Sequence, residues 1–418
     1  MINNRWGGIL QSRDTSGLSA ELRKSLINRL SCEDSAGALK LLYGIRETLQ
    51  SEIFTGRRIP EEIQKLIEAL PNITFADDLK SSLDRFLGLA AELYTVHSSV
   101  SSTFSLAQSF YDTLVEVAFY HCFALLESEG RVDPCLRFSV LVSGELGRIE
   151  SVNGSRSSFF LIYRDGKNAD SDYVNEFAMR FMAVLRGCFP GLSRNFSSTA
   201  FFWFGSNTQW LEFTEKTLLA DATESSDSDG SRFSTLIEIL ADMRIVCGDP
   251  VFGQELVDYG RKMLGSILDG GMFWPLAKEI SSMPVALGIF GRIKTVRSGK
   301  NRGKVDLKGM AIDPLAAAAR VLSLSSKTEE TSFTGRINVI LAAGNVGVAL
   351  ADRLLIAYQE FMRERIKLEL FGAKGEEGLF FNPEELDEES HDRFKNGLDD
   401  ITTLQRLVHQ HLVEVEQG

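Results

Sequence analysis

The first part of the chain, residues 1–130, carries apolar positions at the spacing of an α-helix. Ile63, Leu66, Ile67 and Leu70 follow one another at i, i+3, i+4 and i+7, which places them on one helix face. Two further stripes of the same period follow. No residue pattern here is typical of catalysis, so the region is predicted to be a helical bundle or interaction module.

The pattern changes between residues 137 and 250, where short apolar runs alternate with amphipathic stretches. The runs that predict β-strands are residues 137–142, 159–163, 200–204 and 236–240. Helices are predicted between them, over residues 172–187 and 208–220. This alternation is typical of one mixed α/β domain.

Beyond Gly248 the chain returns to helical periodicity. Residues 311–324, 337–341 and 349–370 are predicted helices of a second bundle. The predicted fold class is α+β, with a small mixed-sheet domain between an N-terminal helical region and a C-terminal helical bundle. The predicted domains are residues 1–130, 131–250 and 251–418.

Composition narrows the class of protein. The 418 residues are 44% hydrophobic and 24% charged, and the formal net charge is −12. This acidic balance argues against nucleic-acid or membrane binding, because phosphate groups attract cationic faces. The most apolar run, residues 337–351, is shorter than the roughly 20 residues that span a bilayer. With no signal-peptide pattern and no zinc or disulfide spacing among the cysteines, we expect a cytoplasmic protein with buried thiols.

The segment most informative about chemistry is residues 141–163. It has the order strand, Gly-rich turn, start of a helix, second turn and strand. A glycine turn that opens a helix can bind phosphate, because its free N–H groups and the helix dipole point at the anion. A strand that follows could present carboxylates to Mg²⁺.

This segment resembles the nucleotidyltransferase motif of the DNA-polymerase-β-like superfamily. More narrowly, it is similar to bacterial nucleotidyltransferases related to the PII-protein uridylyltransferases. Their motif is Gly-Ser-x-Gly-Arg-x-Glu, then five residues, Asp-x-Asp and an apolar run. The residues that match it, in register and without a gap, are Gly144, Gly147, Arg148, Glu150, Leu161, Ile162 and Tyr163. The resemblance implies a nucleotidyltransferase domain followed by a helical substrate-binding domain.

Shorter matches continue downstream and extend the resemblance over roughly residues 100–410. They are Asp242 and Arg244 with Gly248 and Asp249, then Asp306, Leu307 and Lys308 with Pro314 and Arg320, then Thr334 with Arg336, and finally Asn382 with Pro383.

The chain departs from the family motif where the resemblance implies catalytic metal binding. The two motif aspartates fall on Arg156 and Ser158, and the motif serine falls on Glu145. Arginine cannot ligate Mg²⁺, serine is a weak neutral ligand, and a glutamate in the turn would repel a triphosphate unless it were compensated. Asp242 is the remaining candidate for a catalytic carboxylate. Two-metal transfer is therefore predicted to be severely impaired, and no Mg²⁺ cofactor is expected.

Other carboxylates are given structural interpretations. Asp170 and Asp172 are predicted to cap a helix, and residues 227–229 to be solvated in a polar loop. Glu150 is expected to pair with Arg148. Rerouting of the metal ligands to these carboxylates is the alternative. The five histidines lie outside the α/β segment and are given no metal or acid–base role.

A basic loop, residues 292–304, contains six cations in thirteen residues. It is interpreted either as a solvated loop or as an anion contact over the cleft between two domains. The residues predicted to bind nucleotide or phosphate are then Gly144, Glu145, Gly147, Arg148, Arg156, Ser158, Lys300, Arg302 and Lys304. The tail, residues 372–418, has 12 acidic and 4 basic residues and is predicted to be a solvated amphipathic helix or a docking surface for a basic partner.

The leading functional hypothesis is a nucleotidyltransferase-like protein with a degraded metal site. It would act as a regulatory or nucleotide- and protein-binding scaffold in signalling, with a nucleotide and an unknown protein as partners. One alternative is an active enzyme that transfers a nucleoside monophosphate to a protein. The other alternative is a purely helical interaction protein.

Overall fold

The computed structural model describes residues 58–73, 76–131, 136–154, 157–165, 171–189, 203–220, 230–269, 274–288, 291–326, 328–372 and 378–414. Sequence predictions that lie outside the described residues concern residues 1–57 with Cys32, and also Cys135, Arg156, Asp170 and residues 227–229.

Helices precede the sheet throughout the described part of the N-terminal region, as predicted. Residues 58–69 are helical, α1 spans Ala76–His97 and α2 spans Val100–Ser128. The Ser99 side chain caps α2 by accepting a hydrogen bond from the Ser102 N–H at 3.4 Å. The apolar stripe predicted from the sequence faces the interior, since Ile63 and Leu70 are fully buried.

The central sheet has four strands in the order β3–β2–β1–β4. Their bounds are β1 Phe138–Gly144, β2 Ser157–Tyr163, β3 Phe204–Ser206 and β4 Arg244–Gly248. β1 is antiparallel to both β2 and β4, whereas β2 and β3 are parallel. Leu161 in β2 pairs with Val140 in β1, and both are buried, so the predicted mixed sheet is confirmed.

Within the described residues, four helices besides α2 pack around this sheet: α3 Ser171–Cys188, α4 Asn207–Ala220, α5 Gly230–Asp242 and α6 Pro250–Asp269. The prediction of a strand over residues 236–240 is wrong, because these residues lie in α5. Phe233, Leu236, Ile237 and Leu240 recur at helical spacing and are all buried. The apolar run is therefore the core face of a helix, and the fourth strand, β4, begins only after it.

The helix α2 packs directly on the sheet domain. The ring of Phe119 lies against Phe138 of β1 and Phe177 of α3, with centroid distances of 6.4 and 5.3 Å. Arg244 of β4 forms two hydrogen bonds with the carboxylate of Asp112 in α2, at 2.9 and 2.8 Å. The last N-terminal helix thus shares a core with the strands.

The C-terminal part is the predicted second helical bundle. Its helices are α7 Trp274–Ser281, α8 Asp313–Leu324, α9 Phe333–Ala342, α10 Val348–Phe371 and α11 Glu388–His409. A two-stranded sheet joins β5 Val305–Asp306 to β6 Phe380–Phe381, and a π-helical turn, Lys308–Ile312, leads into α8. The amphipathic α11 packs against α8 and α10 and buries Phe394, Leu398 and Ile401.

The cysteines that the structure describes behave as small buried side chains, as expected. Cys122, Cys188 and Cys247 are free and buried. Burial raises the pKa of Cys122 to about 12 and that of Cys188 to about 11, so both thiols are protonated at neutral pH. Across the described ranges, none of the helices combines the length and the apolar character needed to cross a membrane.

Candidate functional site

The motif turn follows β1 and occupies residues 145–149. The Arg148 N–H donates to the Gly144 carbonyl at 2.9 Å, and the Glu150 N–H donates to the Glu145 carbonyl at 2.8 Å. The expected helix start is wrong, because residues 150–154 continue as irregular backbone. The charged side chains of the turn point inward to buried partners, and the described residues 145–154 lack the aligned N–H groups of a helix terminus.

Two glycines and one isoleucine give this turn its shape. Gly144 has φ 73°, a conformation that glycine adopts at no steric cost. A Cβ on Gly147 would lie 2.1 Å from the carbonyl oxygen of Asp242, so only glycine allows the turn to approach the end of α5. Ile149 has φ 62°, which is strained for a β-branched residue. Such strain persists where surrounding contacts hold it, and it is common at functional sites.

The carboxylate of Asp242, at the end of α5, is fully buried and bound by three arginines. Arg148 donates from Nη1 to Oδ2 at 2.6 Å. Arg320, from α8, donates from Nη2 to Oδ2 at 2.8 Å and from Nε to Oδ1 at 3.1 Å. Arg336, from α9, donates from Nη2 to Oδ1 at 2.7 Å. Both oxygens of the aspartate are therefore engaged, and two of the three donors belong to the helical bundle.

The opposite charges in this cluster favour the ionised form of one another, although the groups are buried. Burial by itself would raise the pKa of Asp242, but Arg320, Arg336 and Arg148 hold it well below its usual range. Burial would likewise lower the pKa of Arg148, yet Glu150 and Asp242 raise it well above its usual value. The Nε of Arg148 lies 2.7 Å from Glu150 Oε2, which confirms the predicted pair. The pKa of Arg336 is lowered, because burial outweighs the attraction of Asp242.

A second buried cluster compensates the glutamate that replaces the motif serine. Arg365 of α10 is fully buried and donates from Nη2 to Glu145. Its Nε donates to Glu369 Oε1 at 2.7 Å. The other oxygen of Glu369 accepts from the N–H groups of Val152 and Asn153, at 2.9 and 3.4 Å. A carboxylate from the helical bundle thus binds the backbone donors that follow the turn.

Arg244 of β4 also binds the backbone of the turn. Arg244, which follows Asp242 by two residues, donates from Nε and Nη2 to the Leu146 carbonyl at 3.1 and 3.0 Å. The same guanidinium binds Asp112 of α2. The turn is therefore held by α2, α5 and the C-terminal bundle together.

The structure brings some of the predicted site residues together. Glu145, Gly147, Arg148 and Asp242 are buried around the turn, and Gly144 and Ser158 are half-buried. The predicted cations Lys300, Arg302 and Lys304 lie instead on a hairpin, which the Val296 N–H closes on the Lys304 carbonyl at 2.8 Å. Lys300 and Arg302 are exposed, and Lys304 is half-buried.

The sequence matched Arg320 and Arg336 to the family pattern without assigning them a role, and it did not single out Arg365. Arg320 stands in an apolar helix rich in alanine, and Arg365 continues the buried stripe that contains Leu354, Tyr358 and Phe361 of α10. A charged residue at a core position of a helix is the signal that could have identified both, since buried charges need partners. Among the described residues, no group of three or more His, Cys, Asp or Glu side chains is placed to hold a metal ion.

Comparison with protein-family models gives the class of the chain. Residues 85–224 match the model described as "Putative nucleotidyltransferase DUF294", and residues 271–412 match the model described as "Putative nucleotidyltransferase substrate binding domain". The chain belongs to this nucleotidyltransferase family, which confirms the resemblance found in the sequence. No curated protein matches the chain. The first match contains the motif turn, the second contains Arg320, Arg336 and Arg365, and Asp242 lies between them.

Proposed function

We propose that this member of the nucleotidyltransferase family has a degraded metal site and acts as a regulatory or binding scaffold. The observation that carries the proposal is the binding of Asp242 by Arg148, Arg320 and Arg336. The remaining candidate for a catalytic carboxylate is thus used for ion pairing within the protein.

The residues around Asp242 do not fit a catalytic Mg²⁺ ion. Such an ion needs hard oxygen ligands with free lone pairs, and nucleotidyl transfer through two metals needs several carboxylates. Both oxygens of Asp242 accept hydrogen bonds from guanidinium groups, and three buried positive charges repel a dication. At one of the two motif aspartate positions the neutral Ser158 stands at the start of β2. We therefore derive no step through a metal.

The same contacts support a scaffold that couples two domains. Glu145 and Asp242 belong to the proposed sheet domain, residues 131–250. Their partners Arg320, Arg336 and Arg365 belong to the proposed helical domain, residues 251–418. Removing one partner from a buried ion pair leaves an uncompensated charge, so the two domains are held in one arrangement. A regulatory signal would have to separate these pairs in order to expose the turn.

Nucleotide binding by such a scaffold depends on Arg156, because a guanidinium can hold phosphate oxygens in a bidentate fork without a metal. Glu145 does not oppose this, since Arg365 neutralises it. The affinity should be weak, metal-independent and strongly reduced by salt. The contribution of Lys300, Arg302 and Lys304 to this binding remains a prediction.

The experiment is a set of binding curves for ATP, UTP and GTP in EDTA, at low and high salt. It uses the wild type, Arg156→Ala and the control Arg186→Ala, which removes an exposed arginine from α3. We expect weak binding that salt and Arg156→Ala abolish and that the control retains. Binding that requires Mn²⁺, or Mn²⁺-dependent transfer of labelled nucleotide to protein, would contradict the proposal and favour the active enzyme. No binding under any condition would leave only the protein scaffold.

A further inference from the structure

The hairpin formed by residues 292–304, called the basic hairpin below, is a strongly positive surface. It holds six cations and no acid, in a protein whose formal net charge is −12. Arg292, Lys294, Arg297, Lys300 and Arg302 are exposed. None of these five makes an ion pair with another residue in the described ranges, whereas most other arginines there do.

A negatively charged surface follows strand β6, which pairs with the strand directly after this hairpin. Residues 384–392, called the acidic segment, carry six exposed acids and no Lys or Arg. They are Glu384, Glu385, Asp387, Glu388, Glu389 and Asp392. The Asp387 side chain caps α11 by accepting from the Ser390 N–H at 2.7 Å, so the segment is anchored on a folded helix.

The two surfaces leave the same end of the two-stranded sheet. Val305, directly after the basic hairpin, pairs with Phe381, which lies three residues before the acidic segment. In an antiparallel pair, the chain that enters one strand lies beside the chain that leaves the other. The backbones of the basic hairpin and the acidic segment therefore start from the same end of this sheet, with six charges of opposite sign on each. No ion pair within the described residues joins the five exposed cations to the segment.

A surface with adjacent positive and negative halves selects the charge pattern of its partner. A polyanion such as nucleic acid would be attracted by the basic hairpin and repelled by the acidic segment. The described hairpin residues also offer no aromatic ring on which bases could stack. A second copy of the chain, related by a two-fold axis, can place its acidic segment against the basic hairpin and its basic hairpin against the acidic segment. Both contacts then join opposite charges.

We propose that the basic hairpin and the acidic segment form an isologous interface between two copies of this chain. The basic hairpin of each copy would bind the acidic segment of the other, through arginine–carboxylate contacts at the surface. Because such contacts are exposed, the dimer should be weak and sensitive to ionic strength. The inference goes beyond the scaffold function and does not depend on nucleotide binding.

The test is sedimentation velocity on the full chain and on two charge-reversal variants. One variant carries Arg297→Glu, Lys300→Glu and Arg302→Glu, and the other carries Glu384→Lys, Glu385→Lys and Glu388→Lys. We expect the wild type to dimerise in about 50 mM salt. Its dissociation constant should be about tenfold or more higher in about 500 mM salt. Each variant alone should be monomeric, and an equimolar mixture of the two should regain the dimer, because both contacts are then complementary again.

A matched control separates local charge from total charge. Lys65→Glu, Arg85→Glu and Arg186→Glu together change the net charge as much as the hairpin variant, but at exposed positions elsewhere. This control should retain the dimer. A monomeric wild type at low salt, or a mixture of correctly folded variants that stays monomeric, would overturn the proposal. Circular dichroism establishes that each variant is folded.

Discussion

Asp242 and Arg320 share two hydrogen bonds, from Nη2 to Oδ2 at 2.8 Å and from Nε to Oδ1 at 3.1 Å. This fork is the geometry in which arginine binds a carboxylate most strongly. It joins the end of α5 in the sheet domain to the middle of α8 in the helical bundle. A carboxylate expected to serve catalysis is in this way an anchor between two parts of the protein.

Replacing Asp242 by Asn should destabilise the protein by about 3–5 kcal/mol, because three buried guanidinium groups lose their shared counter-charge. The measurement is the free energy of unfolding from urea denaturation. Asp399→Asn, an exposed change on α11, is the matched control and should stay within about 0.5 kcal/mol of the wild type. Equal stability of Asp242→Asn and wild type would show that the aspartate is not an anchor.

The wild type should also lose stability as the pH falls. Arg320, Arg336 and Arg148 hold the pKa of Asp242 below its value in the unfolded chain, so the folded state favours the ionised carboxylate. This contribution is fully present above the unfolded pKa of about 3.9 and is lost as the pH falls below it toward the folded pKa. Urea titrations between pH 7 and pH 3 should give a steeper fall for the wild type than for Asp242→Asn. Parallel curves would refute the assignment.

Much of the fold could be predicted from the periodicity of apolar residues. The sequence identified α2, α8, α10 and β2, because in each of them the spacing of the apolar residues matches the face that is buried. The helix α5 was not identified, since its apolar residues from Phe233 to Leu240 occupy little more than two turns and resemble a short strand. Over so few residues, periodicity does not separate a buried helix from a strand.

The site was only partly predictable for a different reason. The motif turn and Asp242 are local patterns, and they were found on the sequence alone. Arg336 reaches Asp242 and Arg365 reaches Glu145 only through tertiary packing, at sequence separations of 94 and 220 residues. Glu145 read alone predicts repulsion of phosphate, and the arginine that compensates it is invisible without the fold.

Gly147→Ala should destabilise the protein by about 1–3 kcal/mol, the usual range for overpacking. The added methyl would meet the Asp242 carbonyl at 2.1 Å and the Cα of Ser143 at 2.9 Å, both of them backbone atoms that cannot rotate away. Gly88→Ala in α1 is the control, because a Cβ there has no atom within 4 Å. The control should be neutral or up to about 1 kcal/mol more stable, as alanine favours helix. Thermal unfolding of both variants checks this, and a neutral Gly147→Ala would show that the turn can move.

Glu145→Ser restores the motif serine, and Arg365→Met removes the partner of the glutamate. The serine variant should lose about 1.5–3 kcal/mol, the range for a hydrogen bond to a charged group, because Arg365 keeps Glu369 as a partner. Arg365→Met should lose more, about 3–5 kcal/mol, since two buried carboxylates are then uncompensated.

The double variant distinguishes a direct ion pair from two independent contributions. With Glu145 and Arg365 both replaced, only Glu369 lacks its arginine partner in that cluster, and it keeps the N–H groups of Val152 and Asn153. The double variant should therefore be more stable than the sum of the single losses predicts. The coupling should fall between about 0.5 and 3 kcal/mol, as it does for residues in one buried network. Arg164 and Glu255, an ion pair with both side chains exposed, form the control cycle, where about 0.2–1 kcal/mol is expected. Losses that simply add in the first cycle would mean that the glutamate in the motif turn is not neutralised by α10, and the repulsion of phosphate predicted from the sequence would then stand.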